Sequence, residues 1–307
     1  MHLFFSLLFK ITPLYALILL GYISGKKLKT QKETIASLLI YVIVPVVIFN
    51  SIATSEIKFE LLLLPLIFLI LCCFMCLLFY YIGGNYFKDS TRNILAFAVG
   101  SANTGYFGVP VAIELIGPSC LGIVILCILG FTLYENSLGF FITAKGNHSA
   151  SEAVTKLLRL PTVYVFFAAL VVNKLGINLG YNYITFAKNF IGAYTILGMM
   201  LIGMGLADIK SYKFDFKFVL ATTFAKFVLW PAIILLLVFL DRNILHYFNE
   251  TVYKVMVLIS IVPLAANTVA FATELKAQPE KASLAVFIST LIALVYIPFF
   301  TTIIFKF

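Results

Sequence analysis

The sequence predicts an all-α polytopic membrane protein, and two observations lead to that fold class. First, 62% of the 307 residues are hydrophobic and only 11% are charged, with a mean hydropathy of +1.07, which excludes a soluble enzyme. Second, apolar runs of about 20 residues recur along the chain, the length at which a helix crosses a bilayer. Such runs satisfy their backbone as helices, whereas barrel strands would alternate over about ten residues.

Ten of these runs are predicted to be transmembrane helices, with their ends at charged residues, Gly, Pro and Asn. The first run is a retained span and not a signal peptide, because its positive charges follow it and it lacks a small-residue cleavage site. The predicted spans lie near 6–25, 34–53, 61–83, 93–117, 121–144, 161–179, 186–207, 218–240, 252–274 and 282–304.

The lysines and arginines set the predicted orientation. With the N-terminus outside, 14 of the 22 cations fall in inner loops and 7 on the outer side, while Lys226 falls inside a span. The positive-inside rule therefore places both termini outside. The net charge of +9 is divided among short loops and forms no single basic face, so the expected surroundings are a lipid bilayer, here a bacterial inner membrane, and not nucleic acid.

Cysteine, histidine and glycine motifs predict no metal, cofactor or disulfide framework. Cys72, Cys73, Cys76 and Cys127 fall inside apolar runs and Cys120 in a short loop, and the three histidines are far apart; neither pattern is typical of a metal site. The chain also lacks a Gly-x4-Gly-Lys-Ser/Thr phosphate loop. ATP is therefore excluded as the direct energy source, which leaves secondary transport or facilitation.

Predicted spans 4 and 9 contain residues that interrupt a helix. Residues 100–110 of span 4 carry three glycines, an Asn-Thr pair and Pro110, and residues 263–268 of span 9 begin with Pro263. Both segments contain the tripeptide Ala-Asn-Thr, at 102–104 and at 266–268. Both helices are therefore predicted to break near the middle of the bilayer.

The two interruptions occupy matching places if the chain is divided in the loop 145–160. Residues 1–150 then hold five spans and residues 151–307 hold five more. Because five is an odd number, the second half enters the membrane in the opposite sense, and the halves become an inverted repeat. Spans 1 and 6 agree modestly, since each opens with a proline, Pro13 and Pro161.

A broken helix presents unpaired N–H groups at the start of one half and unpaired C=O groups at the end of the other, so the first end attracts anions. Pro110 suits the first turn of one half-helix, and Asn267 or Thr268 can cap another. The alternative is that Gly and Pro only kink these helices. The candidate substrate-binding residues, for a carboxylate, are Asn103, Thr104, Tyr106, Pro110, Pro263, Asn267 and Thr268.

The chain resembles the auxin efflux carrier family in its compact prokaryotic form, which lacks a long central loop. The resemblance rests on Leu38–Pro45 and Phe49–Ile52 in span 2, on Asn103–Pro110 in span 4, and on Ala272–Leu275 and Ser283–Pro298 in spans 9 and 10. It covers nearly the whole chain, and the motif in span 4 is the most specific of these stretches.

The resemblance implies a fold similar to that of sodium/proton antiporters and bile-acid transporters, with helices 4 and 9 crossing. It implies a scaffold domain from spans 1, 2, 6 and 7, a transport domain from spans 3–5 and 8–10, an elevator mechanism and a homodimer. It further implies a small organic anion as substrate, such as malate, malonate or an auxin-like acid. Asn103, Pro110 and Pro263 match the crossover pattern of the family, and Asn267 matches it less securely.

Ionisable residues inside a membrane are candidates for function. Glu135 lies deep in span 5 and is a candidate proton carrier, whereas Lys226 lies deep in span 8 and could neutralise a helix end or an incoming carboxylate. Either residue could instead serve only in a structural ion pair with the other. Coupling to protons or to sodium is thus left open.

The remaining polar residues have ordinary structural explanations. Glu114 reaches water near Gly117, and Glu274 and Asp208 lie at span ends beside lysines. Asn50 and Tyr41 of span 2 are candidates for the substrate path, although Asn also joins helices by hydrogen bonds.

The sequence as a whole predicts a secondary transporter or uniporter for a small organic anion. A cation/proton antiporter on the same fold is one alternative, but asparagines stand where acidic residues would be needed. A membrane ligand sensor without transport is the other.

Overall fold

The computed structural model describes residues 2–55, 59–144, 161–207, 215–275 and 277–304, and the regular elements in these ranges are all helical. Eight helical stretches are long and apolar enough to cross a membrane, so the protein is a polytopic α-helical membrane protein. They are Phe4–Leu28, Lys32–Ala53, Glu60–Tyr86, Thr91–Leu115, Pro118–Thr143, Gly180–Ala207, Phe216–Leu245 and Pro279–Ile304.

Two of the ten predicted spans are not among these eight. Predicted span 6 forms the 14-residue helix Pro161–Lys174, which ends because Gly176 adopts a φ of +61° and Ile177 donates its N–H back to the carbonyl of Val172. Predicted span 9 forms two short helices of 11 and 8 residues. The segment 145–160, where the two predicted halves divide, lies outside the described residues.

Fifteen α-helices fall within the described ranges. Six π-helical turns continue or join some of them, at Ser24–Leu28, Leu39–Ile43, Thr104–Gly108, Glu135–Gly139, Ala225–Leu229 and Asp241–Leu245. In chain order the α-helices are α1 (His2–Ile23), α2 (Lys32–Leu38), α3 (Val44–Ala53), α4 (Leu63–Tyr86), α5 (Thr91–Gly100), α6 (Val109–Leu115), α7 (Leu121–Tyr134), α8 (Phe140–Thr143), α9 (Pro161–Lys174), α10 (Gly180–Ala207), α11 (Phe216–Phe224), α12 (Trp230–Leu240), α13 (Glu250–Ser260), α14 (Asn267–Glu274) and α15 (Pro279–Ile304).

Helices α9, α3, α10 and α1 pack in that order, each against the next. Two glycines allow α1 and α10 to approach closely, because a Cβ on Gly21 would clash with the backbone of Met200 and a Cβ on Gly203 with that of Ile18. Helix α9 lies along α3, and the Asn173 amide donates to the carbonyls of Ile52, Ala53 and Ser55 at the end of α3.

The stretch Thr91–Leu115 forms the centre of the protein. In its most apolar 18-residue window 89% of the residues are buried, against 22–61% in the other seven spanning stretches. Helix α5 contacts α4, α8, α11 and α14, and the indole N–H of Trp230 donates to the carbonyl of Val99 at 2.7 Å. The interruption in span 4 therefore lies where most of the surrounding helices converge.

Candidate functional site

The first interruption follows Gly100, where α5 ends. Ser101 is extended, with φ −103° and ψ 167°, and Asn103 has φ −77° and ψ 57°. The chain then makes a π-helical turn, which begins at Thr104 and leads into α6, where Pro110 occupies the first turn. Gly100 is required at the break, because a Cβ there would clash with the side chain of Tyr134 and the carbonyl of Cys72.

The second interruption separates α13 from α14 and contacts the first directly. The backbone N–H of Asn103 donates to the carbonyl of Pro263 at 2.9 Å. The hydroxyl oxygens of Ser101 and Thr268 lie 3.3 Å apart. The two broken segments therefore satisfy each other's backbone, which is a requirement for irregular structure at membrane depth.

A cavity of about 290 Å³ opens beside this contact, and we call it the crossover cavity. Four of the predicted substrate-binding residues line it, together with the predicted coupling residue Glu135. Its described lining residues are Ile40, Val44, Ala102, Asn103, Thr104, Gly105, Tyr106, Ile128, Phe131, Thr132, Glu135, Asn136, Tyr194, Ala265, Ala266, Asn267 and Phe271.

Asn103 lines the cavity and carries an unpaired hydrogen-bond donor. Its side chain is 4% exposed, and its Nδ2 is buried without a partner among the described residues. Leaving a buried amide N–H unpaired costs about 1–3 kcal/mol. A ligand atom that accepts this hydrogen bond would recover that cost. A carboxylate or carbonyl oxygen in the cavity would satisfy the N–H.

Glu135 and Asn267 face the same cavity and are joined. The Asn267 Nδ2 donates to Glu135 Oε2 at 2.9 Å. Glu135 is 7% exposed and begins a π-helical turn, a distortion that is frequent at functional sites. Asn267 is the first residue of α14, so this carboxyl group lies at the start of a helix, where the macrodipole favours negative charge.

Lys226 is buried but does not line the crossover cavity. It is completely inaccessible, and its Nζ has no hydrogen-bond partner in the described part of the chain. The ammonium lies 5.0 Å from the centre of the Trp230 ring and 5.9 Å from that of Phe131. The ion pair with Glu135 considered from the sequence is therefore not formed, and two aromatic rings are the neighbours of this cation.

Asn50 lies in a different cavity, of about 880 Å³, which Ser51, Lys188 and His246 also line; we call it the Asn50 cavity. The Oδ1 of Asn50 is buried without a partner among the described residues. Asn50 therefore lies away from the crossover cavity, because it is nearly two helical turns beyond Val44 on its span, and its place on the substrate path stays a prediction. Tyr41 is 63% exposed and lines neither cavity.

Three other predicted residues support the cavity without lining it. Pro110 is buried in the first turn of α6, Pro263 supplies the carbonyl for Asn103, and Thr268 is 1% exposed beside Ser101. Glu114 is exposed. Asp208 and the side chain of Glu274 lie outside the described residues.

Sequence reasoning missed polar and aromatic lining residues from α7, from the π-helical turn that follows it and from α10. Thr132 and Asn136 flank Glu135 by one turn or less, and Tyr194 of α10 lies with its ring centre 6.1 Å from that of Tyr106. The polar cluster at 134–137 was a usable signal for Asn136. Nothing in the pattern around Tyr194 distinguishes it from other tyrosines of the chain.

Comparison with known proteins gives the family. Residues 6–301 match the family described as membrane transport protein. An uncharacterized transporter of Methanocaldococcus jannaschii is 26% identical over 229 residues, which cover 70% of this chain and 74% of that protein. An uncharacterized transporter of Methanothermobacter thermautotrophicus is 24% identical over 296 residues, which cover 94% and 95%. The chain therefore belongs to the membrane transport protein family, the family of the auxin efflux carriers.

Proposed function

We propose that the protein is a secondary transporter or uniporter that carries a small organic anion through alternating access. The observation that carries the proposal is the buried amide N–H of Asn103, which has no partner among the described residues and belongs to a residue that lines a cavity where two interrupted helices meet. Malate, malonate and auxin-like acids are the substrate class. An unpaired donor at the meeting point of two interrupted helices supports a binding site for a ligand with an acceptor oxygen.

The crossover cavity has the chemistry to bind one carboxylate. Amide donors are available from Asn103, and the start of α14 adds the positive end of a helix of eight residues. Tyr106, Tyr194, Phe131 and Phe271 supply apolar walls, which suit the hydrocarbon part of an organic acid. The volume of about 290 Å³ limits the substrate to a small molecule.

The position of the cavity supports an elevator mechanism. Ile40, Val44 and Tyr194 line it from the side of α3 and α10, and residues around α5, α7 and α14 line it from the other side. A substrate in the cavity would touch both groups of helices. The first group belongs to the proposed scaffold of spans 1, 2, 6 and 7, and the second to the proposed transport domain of spans 3–5 and 8–10. We propose the same two-domain division, arising from an inverted repeat of residues 1–150 and 151–307.

The assembly and its membrane are part of the same proposal. We propose a homodimer formed by the scaffold helices, in a bacterial inner membrane, with both termini outside. The cation bias of the loops supports that orientation. Transport does not change the solute chemically, so the proposed function is not that of an enzyme.

A cation/proton antiporter is the second candidate, and one observation favours it. Glu135 is the only described lining residue of the crossover cavity with a formal charge at neutral pH. A cation would bind such a carboxylate, whereas an anion has to overcome its charge. A ligand sensor without flux is the remaining alternative, for which the paired interruptions offer no evident use.

Uptake into proteoliposomes tests the proposal. Labelled malate, malonate, indole acetate and an amino acid are compared for the wild type and for Asn103→Ala/Asn267→Ala, with and without a pH gradient. We expect saturable flux of an anion that the double variant loses. The matched control is Asn182→Ala/Asn243→Ala, which changes two exposed asparagines and should transport normally.

The two opposite results are informative. Wild-type rates in a folded Asn103/Asn267 variant would remove the site, and monodispersity in detergent would establish the folding. An absence of anion flux together with cation-driven proton movement would favour the antiporter.

A further inference from the structure

An anion in the crossover cavity would lie close to a second negative charge. Glu135 is the one formally charged group among the described residues that line the cavity, and lysine, arginine and histidine are absent from that set. Two like charges in a poorly solvated site repel each other strongly. The proposed substrate therefore requires that the charge of Glu135 be removed or compensated when the substrate binds.

Glu135 already occupies the position that suits a substrate carboxylate. Its Oε2 accepts the amide N–H of Asn267 at 2.9 Å, at the first residue of α14. The Asn103 amide in the same cavity has no partner among the described residues. Of the three asparagine side chains that line the cavity, Asn267 thus holds the internal carboxylate, Asn136 donates to the carbonyl of Thr132, and the Nδ2 of Asn103 is left unpaired among the described residues.

The groups around Glu135 do not provide a cation that could compensate it. Helices α4, α5, α7 and α8 contact its π-helical turn. Their titratable groups nearest to Glu135 are the thiol of Cys72 and the phenol of Tyr134, and α8 contains none. The guanidinium of Arg92 in α5 is directed elsewhere, 3.7 Å from the Tyr80 ring centre.

Lys226 is the remaining charged group in this region. Its Nζ lies 5.9 Å from the ring centre of Phe131, a lining residue of the crossover cavity, and it is not bonded to Glu135. The other titratable groups facing the cavity or Glu135 are Cys72, Tyr106, Tyr134 and Tyr194.

We propose that one proton binds to Glu135 with each substrate anion, so that the two cross the membrane together. This inference rests on the proposed function. The carboxylate of Glu135 takes a proton from the water of the open side and becomes a neutral carboxylic acid. The substrate carboxylate then accepts the N–H groups of Asn103 and Asn267, and the reverse steps release the anion and the proton on the other side.

Linkage makes the proposal quantitative. If the neutral form of Glu135 favours the anion, then the anion favours the neutral form by the same factor. For one proton, the apparent affinity for the anion falls by up to about tenfold for each pH unit over the range where the empty site is ionised. Glutamine has the shape of the protonated acid and cannot ionise, so it removes this dependence.

The test measures exchange of labelled malonate across proteoliposomes with equal pH on both sides, from pH 7 to 9, where the carboxyl groups of the anion are ionised. Malate and indole acetate replace malonate if it is not exchanged. We expect the KM of the wild type to rise with pH by up to about tenfold per unit, and the KM of Glu135→Gln to be flat and lower than that of the wild type at pH 8. The matched control Glu114→Gln, an exposed glutamate, should keep the wild-type slope.

A second measurement uses only the wild type and so does not depend on the folding of a variant. An inward gradient of the exchanged anion should acidify the interior of the vesicles, with one proton entering per anion. A pH-sensitive dye inside the vesicles reports this change. Exchange with a pH-independent KM, with a retained slope in Glu135→Gln, or without proton entry would overturn the coupling and leave the proposed function intact. Failure of all three anions to exchange would overturn the proposed function, and the coupling with it.

Discussion

The two interrupted segments carry the same tripeptide, Ala-Asn-Thr, and use it differently. In the first segment Asn103 is 4% exposed and its amide N–H is unpaired within the described structure. In the second, Asn267 is exposed and its amide N–H is engaged by Glu135. Thr104 lines the crossover cavity, whereas Thr268 is directed at Ser101.

The difference indicates that the site is chemically asymmetric although its sequence signals are nearly symmetric. One asparagine offers a vacant donor to a ligand, and the other connects the start of a helix to an ionisable group. The first residue is suited to binding, and the second to relaying the charge state of Glu135. A repeated motif therefore predicts a shared backbone geometry better than it predicts a shared role.

Removing each amide separately should produce the largest contrast. A hydrogen bond to a charged group contributes about 1.5–3 kcal/mol, so Asn103→Ala should raise the KM for the transported anion by about 10- to 100-fold. Asn267→Ala should raise it by less than about tenfold, because that amide is engaged both with and without substrate. Equal losses in uptake assays would show that the two asparagines are equivalent.

The close packing behind the first break should be the next most sensitive feature. Gly100→Ala places a methyl group against the Tyr134 side chain and the Cys72 carbonyl, and such overpacking costs about 1–3 kcal/mol. We expect a melting temperature in detergent that is lower by several degrees. Gly192→Ala is the control, because a Cβ there meets nothing within 4 Å. An unchanged melting temperature for Gly100→Ala would mean that the break tolerates movement.

The hydroxyl contact between the segments should contribute less. Thr268→Val keeps the shape of the side chain and removes its hydrogen bond to Ser101, at a cost of about 1 kcal/mol. The matched change Thr12→Val removes an exposed hydroxyl of α1 and should be nearly neutral. Similar thermal stabilities for both variants would show that the contact between the segments rests on the backbone bond alone.

A salt bridge at the ends of two spanning stretches should have the smallest effect. Lys281 donates to Thr91, at the start of the first broken span, and pairs with Asp215 at 2.8 Å. Burial raises the pKa of Asp215, but hydrogen bonds from Lys281 and from the Phe218 N–H outweigh it, so the net pKa is lowered.

A carboxyl group with a lowered pKa stabilises the fold above its ordinary value near 3.9, and this contribution is lost as pH falls through the lowered pKa. Asp215→Asn should therefore melt slightly earlier at pH 6 and lose less stability than the wild type below about pH 4, with a difference under about 1 kcal/mol. The control is Glu33→Gln, which is exposed. A parallel acid response in Asp215→Asn and the wild type would contradict the assignment.

Local signals were sufficient to predict the membrane fold class and the candidate residues Asn103 and Asn267. The length and hydropathy of a run predict a span because the thickness of the bilayer fixes both. Gly, Pro and Asn predict interruptions because of their backbone conformational preferences. The helix at Pro161–Lys174 was predicted too long, because the residues after Gly176 are apolar enough to resemble a span and yet follow a helix end.

The orientation of helix faces could not be predicted from the sequence. Lys226 and Glu135 are both deep, but each lies on a π-helical turn, which rotates the following residues relative to a regular helix. Asn50 and Val44 belong to one span and line different cavities. Tyr194 reaches the crossover cavity from α10, which packs tightly on α1 through Gly203, a contact between distant parts of the chain.

The position of Trp230 gives the protein a built-in optical probe. It is the single tryptophan of the chain, and its buried indole stacks on Phe131 with ring centres 5.6 Å apart. Phe131 lines the crossover cavity, and the indole N–H is bonded next to the break at Gly100. Fluorescence excited at the indole band therefore arises from one site beside the cavity, so occupancy can be followed in unlabelled protein, without background from other tryptophans.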